Sequence, residues 1–179
     1  MLIFTLSFKA GEYCSKPDSK FAAIGENFLL KKEKQLEESS FFGPLRKALA
    51  AGNNSKAFLV IFPLMLLKSA AFYFLGLFLI TPLMLIIQGT MMGSIFRAYK
   101  KKFSSNELFV KVTYWQLSSH LIIGSLGFYV GLEWFSGGVF KHWSPDWLYS
   151  LWFYIVMSVI WAIVAAVLEV RMLVKDRYT

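Results

Sequence analysis

The sequence predicts an all-α fold, a polytopic membrane helical bundle with about four transmembrane helices and an amphipathic interfacial helix ahead of them. Hydrophobic residues make up 56% of the 179 positions and charged residues only 17%. A soluble domain of this size cannot bury so much apolar surface. The apolar residues form long stretches, and almost all of the basic residues behind the net charge of +8 lie outside them. Anionic lipid headgroups attract basic residues in that position.

The amino-terminal third of the chain is its polar part. We predict that residues 1–56 form a cytoplasmic and interfacial segment, and that residues 57–179 form a transmembrane helical domain. The first apolar run ends at Lys9 and is too short to span a membrane. Apolar and charged residues recur at helical spacing over 19–40, which predicts an amphipathic helix there.

A second, shorter amphipathic helix is predicted over 41–49. Its apolar side chains recur at helical spacing opposite Arg46 and Lys47. Pro44 is typical of a helix start, and Gly52 is typical of the position just after a helix. A basic amphipathic helix directly before a spanning segment usually lies in the membrane interface. We therefore expect this helix to lie there.

The next stretch, 57–96, carries a single charge in forty positions. As one helix it would be about 60 Å long, which is about twice the thickness of the hydrocarbon core. It must therefore break, and the segment 76–82 (GLFLITP) combines a glycine with a proline. The prediction is a pair of spanning helices near 57–76 and 81–97, with a re-entrant hairpin as the alternative.

Two further spans complete the predicted bundle. They lie near 112–132 and 147–168, where long apolar stretches recur. The connection between them, 133–146, contains Gly137-Gly138 and Ser144-Pro145, which are typical of a loop.

The distribution of Lys and Arg favours four spans over three. Nine lie in 1–56, five in 97–111 and three in the tail, but only Lys141 lies in 133–146. Two helices in 57–97 would place all three basic segments on one side of the membrane, as the positive-inside rule requires. One helix there would place the two largest clusters on opposite sides. Both termini are thus expected to be cytoplasmic, in a prokaryotic cytoplasmic membrane.

Basic and aromatic residues mark the predicted membrane interfaces. Six basic residues are expected at the inner interface: Arg46, Lys47, Arg97, Lys100, Lys101 and Lys102. Four tryptophans are expected to form an outer aromatic belt: Trp134, Trp143, Trp147 and Trp152.

Residue patterns of known catalytic sites are missing from the sequence. It contains no HExxH, GxSxG, phosphate-binding loop or dinucleotide fingerprint. The single cysteine, Cys14, can form neither an internal disulfide nor a zinc site. Glu169 is the only acidic residue within the apolar segments. We therefore expect no enzyme activity, no cofactor, no metal and no nucleic-acid partner.

Three polar residues are predicted at similar depth in the membrane. Counting from the inner boundary at about 1.5 Å per residue, Lys68 lies about 17 Å deep, Gln88 about 14 Å and His120 about 12 Å. They could form a functional intramembrane polar cluster. They could also do no more than hydrogen-bond neighbouring helices or reach water along the side chain.

Glycines four residues apart indicate close helix packing. Gly89 and Gly93 form one GxxxG pattern, Gly127 and Gly131 form another, and Gly124 lies one turn before the second. Such patterns open a groove that another helix can enter. The groove could be filled within the chain or by a partner.

The order of these features resembles the stage II sporulation protein M family of small polytopic membrane proteins. The matching text is Asn53-Asn54, Pro82 followed by Gln88 to Gly93, Ser119-His120, and Ala165-Ala166-Val-Leu-Glu169. The resemblance covers roughly residues 41–170. Gln88 stands where the family usually has Asn, and Ser119 where it has Pro. The resemblance implies a membrane scaffold that works with partner membrane proteins.

The sequence therefore predicts a non-catalytic accessory or scaffold subunit. We expect its partners to be the lipid bilayer and either other membrane proteins or further copies of the chain. The alternative is a small permease or channel component that acts as an oligomer, which would need a water-accessible polar path through the membrane.

Overall fold

The computed structural model describes residues 2–16, 19–103, 105–136 and 145–177, and the side chains within these ranges except those of 145–150 and 177. It is 92% helical, which confirms the all-α prediction. Seven α-helices occur in the described residues: α1 Leu2–Cys14, α2 Lys20–Glu38, α3 Gly43–Ala50, α4 Asn54–Leu77, α5 Thr81–Lys102, α6 Asn106–Phe135 and α7 Pro145–Arg177.

Helix α1 is the element that the sequence did not predict. Its residues are too few to cross a membrane, yet they form a helix that lies along α5. Phe4 approaches Gly89, and Phe8 approaches Gly93. The two helices therefore run parallel, and α1 lies along α5 from Leu85 to Lys100.

Side-chain and backbone caps separate α2, α3 and α4. The Ser19 side chain accepts a hydrogen bond from Ala22 N at 3.1 Å and begins α2. Helix α3 ends in a Schellman motif, in which Asn53 N donates to Ala48 O at 2.8 Å and Gly52 adopts φ 63°. The Asn53 side chain then accepts from Lys56 N at 3.0 Å. One residue thus closes α3 and caps α4.

The break predicted between 76 and 82 is a tight turn. Helix α4 ends at Leu77, and α5 begins at Thr81 with proline in its first turn. Leu79 N donates to Gly76 O at 2.8 Å, and Leu79 adopts φ 59°, a left-handed conformation that is uncommon for leucine. After this turn the two helices separate, because α4 packs mainly on α6 and α7 whereas α5 packs mainly on α1 and α2.

The helices form two groups, which we call the α4–α6–α7 core and the α1–α2–α5 layer. Helices α4 and α6 run parallel, and α7 runs antiparallel to α6. The first turns of α4 and α6 therefore lie at the same end of the bundle as the last turns of α5 and α7. This end carries Arg97, Lys100, Lys101 and Lys102, and we call it the basic end.

Two helices are long and apolar enough to cross a membrane. They are Asn54–Leu77 and the part of α7 from Leu151 to Asp176. In each of them only 22% of the most apolar window is buried. Helices α5 and α6 are also long enough, at 22 and 30 residues, but do not reach the same apolarity.

Candidate functional site

The three polar residues predicted at similar depth lie on three different helices. His120 is fully buried and stacks on Phe72, with ring centroids 4.4 Å apart. Lys68 precedes Phe72 by one helical turn on the same face of α4. Gln88 is half-buried, and no hydrogen bond or ring contact of the described residues joins it to the other two. The structure therefore brings together Lys68 and His120, while Gln88 has no such link.

Several buried polar atoms of α5 and α6 lack a hydrogen-bond partner within the described residues. Neither ring nitrogen of His120 has a hydrogen-bond partner in the described part of the chain, and the same holds for Gln88 Oε1 and Thr81 Oγ1. A buried polar group without a partner costs about 1–3 kcal/mol. These atoms are therefore available to a group that the chain itself does not supply.

Three serines link the helices of the core at mid-length, and the sequence analysis named only Ser119 among them, for its place in the family resemblance. Ser69 Oγ and Ser119 Oγ are 2.9 Å apart, and Ser119 Oγ and Ser158 Oγ are 3.0 Å apart. Ser119 Oγ also donates to Ser158 O at 2.8 Å. All three side chains are buried. A signal for them was present, because each serine is a small polar residue near the middle of an apolar stretch.

A cavity of about 460 Å³ lies between this serine layer and the basic end. Helices α2, α4, α6 and α7 all contribute to its walls. Lys68 and Gln116 are its lining residues nearest to the serine layer, and none of the three serines lines it. The polar interior at this end therefore stops at the layer where α4, α6 and α7 are in direct contact.

Charged residues in this cavity form a set that the sequence analysis did not predict. The Lys32 ammonium lies 3.5 Å from the Glu169 carboxylate, whose side chain is only 13% exposed. Lys68 lines the same cavity. Lys31 also lines the cavity. The lining thus contains three lysines and one carboxylate, and Lys32 is the lysine that pairs with it.

The basic residues expected to face lipid headgroups are largely paired with helices α1 and α2. Three successive lysines of α5 form ion pairs: Lys100 with Glu12 at 3.7 Å, Lys101 with Glu26 at 3.2 Å and Lys102 with Glu33 at 2.6 Å. Arg97 Nη1 donates to Glu12 O at 3.1 Å. These bonds tie the end of α5 to the layer.

The other residues predicted at the interfaces lie apart from this set. Arg46 lines a second cavity of about 470 Å³, whereas Lys47 is exposed. Trp143 and the side chain of Trp147 lie outside the residues that the structure describes.

Both glycine grooves are filled within the chain. A Cβ at Gly93 would overlap Phe8 O, and one at Gly89 would lie 2.8 Å from Ser7 Cβ, both in α1. A Cβ at Gly127 or Gly131 would overlap a backbone carbonyl of α4. Gly124 faces α4 and the first turn of α5. The sequence left open whether each groove is filled within the chain or by a partner. In the structure a helix of the same chain fills both grooves.

A hydrogen-bonded cluster closes the basic end, and it also was not predicted. Tyr99 and Ser105 both donate to the Asp176 carboxylate. The Tyr99 and Ser105 hydroxyls are themselves 2.5 Å apart. Burial raises the pKa of the Tyr99 phenol, and the hydrogen bond to Asp176 adds to this. The cluster joins α5, the start of α6 and the last turn of α7.

The chain matches no protein-family model, no curated protein and no solved structure. The resemblance to the stage II sporulation protein M family therefore stays a prediction. Within the described ranges, no three His, Cys, Asp or Glu side chains converge as the ligands of a metal ion would.

Proposed function

We propose that this chain is an integral membrane protein and that α4, α5, α6 and α7 cross the bilayer. Support comes from the apolar surface that α4 and α7 leave uncovered. Their most apolar windows are only 22% buried, and Leu67 and Trp152 are 68% and 64% exposed. A core helix of a soluble protein would bury such residues, whereas lipid solvates them.

The basic end is proposed to face the cytoplasm of a prokaryotic cell. The end of α1 and the last turn of α7 then lie on that side, whereas α1 begins beside Leu85, further from it. Cys14 gives a direct test because it is free and exposed. A membrane-impermeant thiol reagent should label it in inside-out vesicles and not in right-side-out vesicles.

A matched variant completes the topology test. The variant combines Cys14→Ser with Phe135→Cys, so that its only thiol lies at the last residue of α6. That residue is 69% exposed and lies at the end of the bundle opposite to the basic end. The reagent should then label this variant in right-side-out vesicles and not in inside-out vesicles. Labelling of Cys14 from the outside would reverse the proposed orientation.

In this membrane, we propose, the chain acts as a non-catalytic accessory or scaffold subunit of a larger assembly. The observation that carries this proposal is how the buried polar residues are used. Ser119 bonds both Ser69 and Ser158 and so joins α4, α6 and α7 in the interior of the core. A rigid bundle with uncovered apolar faces is suited to packing against further membrane proteins.

Purification from native membranes in mild detergent tests the assembly role. A tagged chain should retain a membrane protein in fixed stoichiometry, and tagging that protein should in turn retain this chain. The two should co-migrate in size-exclusion chromatography. Recovery of the chain alone as a monomer, with membrane extraction shown to be gentle enough for a known complex, would contradict the proposal.

A permease or channel component is the second candidate, and the Lys68–His120 pair favours it. Neither His120 ring nitrogen has a partner among the described residues, and Lys68, which lines the cavity, lies one turn before the Phe72 ring on which His120 stacks. Oligomers of such a protein would exchange solute across liposome membranes. Lys68→Leu should abolish that exchange, while Lys34→Leu on the exposed face of α2 should not. Equal exchange in the two variants would remove Lys68 from any path.

A further inference from the structure

The deep end of the cavity, next to the serine layer, combines one ammonium with two uncharged donors. Lys68 of α4 and both Thr113 and Gln116 of α6 line the cavity. The bond between Ser69 and Ser119 fixes the register of α4 against α6 just beyond Lys68. Side chains on a helix point back toward its first turn, and both helices begin at the basic end. The ends of the three polar side chains therefore lie at a similar depth, on the basic-end side of the serine layer.

These three side chains have no polar partner of their own. No hydrogen bond or ion pair within the described residues engages any of them. The carboxylate that lines the cavity, Glu169, pairs with Lys32 at 3.5 Å. Lys68 is nevertheless exposed, although it lies well inside the apolar helix α4. An ammonium at membrane depth without a counter-charge is costly to insert. The deep end therefore favours a negative charge that the described chain does not supply.

The rest of the cavity is suited to admit an anion. Lys31 and Lys32 line its α2 side, and both residues are exposed. Ile61, Met65 and Val112 are buried and form apolar parts of its wall. A cleft with basic groups and walls of low dielectric constant focuses the electric field and raises the local concentration of anions. An anion is therefore attracted to the α2 side and interacts most strongly at the unpaired ammonium.

The number of charges at the deep end selects the valence of the anion. Lys68 supplies a single positive charge, and the Thr113 hydroxyl and the Gln116 amide can each donate a hydrogen bond. One ammonium neutralises a monovalent anion, whereas a divalent anion would keep an unpaired charge between apolar walls, which is unfavourable. The volume of about 460 Å³ leaves room for a small ion together with water.

We propose that this cavity binds one small monovalent anion between the Lys68 ammonium, the Gln116 amide and the Thr113 hydroxyl. The anion enters past Lys31 and Lys32 and supplies the counter-charge that Lys68 lacks among the described ion pairs. The proposal goes beyond the scaffold role and shares with it only the placement in a membrane.

Chloride NMR of the full chain in a nonionic detergent tests the site, with chloride itself as the probe. The chloride signal broadens when the ion exchanges between solution and a protein site. The unchanged chain should cause extra line width, and excess nitrate, which is also small and monovalent, should remove it by displacement. Lys68→Gln should weaken chloride binding about tenfold, the loss expected for a hydrogen bond to a charged group. No extra width, or extra width that nitrate does not reduce, would overturn the proposal.

Lys34→Gln is the matched control. It also removes one positive charge, but Lys34 does not line the cavity, and its side chain is 72% exposed. Chloride should bind to this variant as it binds to the unchanged chain. Equal losses in Lys34→Gln and Lys68→Gln would mean that chloride only collects on basic surface, and this would overturn the proposal.

Gln116→Leu tests the same site without removing its charge, and it decides the matter if Lys68→Gln does not fold. It deletes one donor and keeps the ammonium, so chloride affinity should fall about fivefold, the loss expected for one hydrogen bond. An unchanged affinity would show that chloride does not bind at the deep end. Chloride binding is measured without any partner protein, so its failure and a failure of the scaffold role are distinguishable.

Discussion

The α4–α6–α7 core and the α1–α2–α5 layer are both held by close helix contacts, but they place their polar bonds differently. In the core, hydroxyl groups bond across the helices in the interior, as between Ser119 and Ser158. In the layer, most polar bonds lie at the surface of the basic end, as between Lys101 and Glu26, whose side chains are 57% and 53% exposed. Buried bonds are hidden from salt, whereas exposed ion pairs are screened by it. The core should therefore resist changes of ionic strength that loosen the layer.

The largest effect is expected from Gly127→Ala in the core. The new methyl group would overlap Tyr73 O, and a backbone carbonyl cannot move aside without shifting α4. Overpacking of this kind costs about 1–3 kcal/mol, and we expect the upper part of that range. Thermal unfolding in detergent should show it. Gly43→Ala is the control, because the nearest atom to its Cβ is at 3.9 Å, and an unchanged melting temperature in both variants would refute close packing here.

Gly93→Ala makes the equivalent change in the layer, and there we expect a local response. The methyl group would overlap Phe8 O, so α1 should leave its groove while the core stays folded. Hydrogen–deuterium exchange should rise over residues 2–14 and stay slow over 151–176. A uniform rise in both segments would show instead that the layer and the core unfold as one unit.

Ser119→Ala sharpens the comparison by removing the central hydroxyl of the core. It deletes the bonds to Ser69 and Ser158, and interhelical hydrogen bonds in membrane proteins contribute about 0.6 kcal/mol on average. The neighbouring Ser118 bonds only to Tyr114 O in its own helix. Ser118→Ala should therefore lower the melting temperature less than Ser119→Ala does, and the reverse order would contradict the bridging role.

Tyr99 of α5 donates a hydrogen bond to Asp176 of α7 and so connects the layer to the core. Alkaline pH should weaken this connection. The folded-state pKa of Tyr99 is raised above the ordinary value of 10.0, so the neutral phenol is favoured in the folded chain. The stabilisation is complete below pH 10 and is lost as pH rises through the folded-state pKa. Unfolding measured from pH 9 upward should therefore depend on pH less in Tyr99→Phe than in the unchanged chain. Tyr129→Phe, at a half-exposed position, should keep the original dependence.

The smallest effect is expected at the surface of the layer. Lys101→Gln removes an exposed ion pair with Glu26, a contact that contributes about 0–1 kcal/mol. The loss should be measurable at 50 mM salt and vanish at 500 mM. A loss of equal size at both salt concentrations would mean that Lys101 stabilises the layer through packing and not through charge.

Helix positions could be predicted from the sequence wherever apolar spacing, Pro and Gly mark them. Helices α2, α3 and α4 begin and end within about three residues of the expected bounds, whereas α5, α6 and α7 are longer than the predicted spans. Helix α7 ends at Arg177, nine residues beyond the expected end. Helix α1 was missed because what stabilises it is a groove on α5 some eighty residues further along the chain. Local sequence carries no sign of a partner at that distance.

The residues of the candidate site could be predicted only in part from the sequence. Counting residues along a helix gives depth, and by depth Lys68, Gln88 and His120 belong together. It does not give the direction in which a side chain points around the helix, nor the approach of α2. Lys32 and Glu169, which share the cavity with Lys68, could therefore not be grouped with it from sequence alone.

Because α1 packs on Gly89 and Gly93, a helix of another protein would have to displace α1 to bind in this groove. Because α1 is tethered to the same chain, its effective concentration at the groove is high, on the order of millimolar for short linkers. A free helix that fits the glycines equally well would have to exceed that concentration to displace it. Association with this chain should then depend on the side chains around the outside of the bundle, where helix axes stay about 8–10 Å apart.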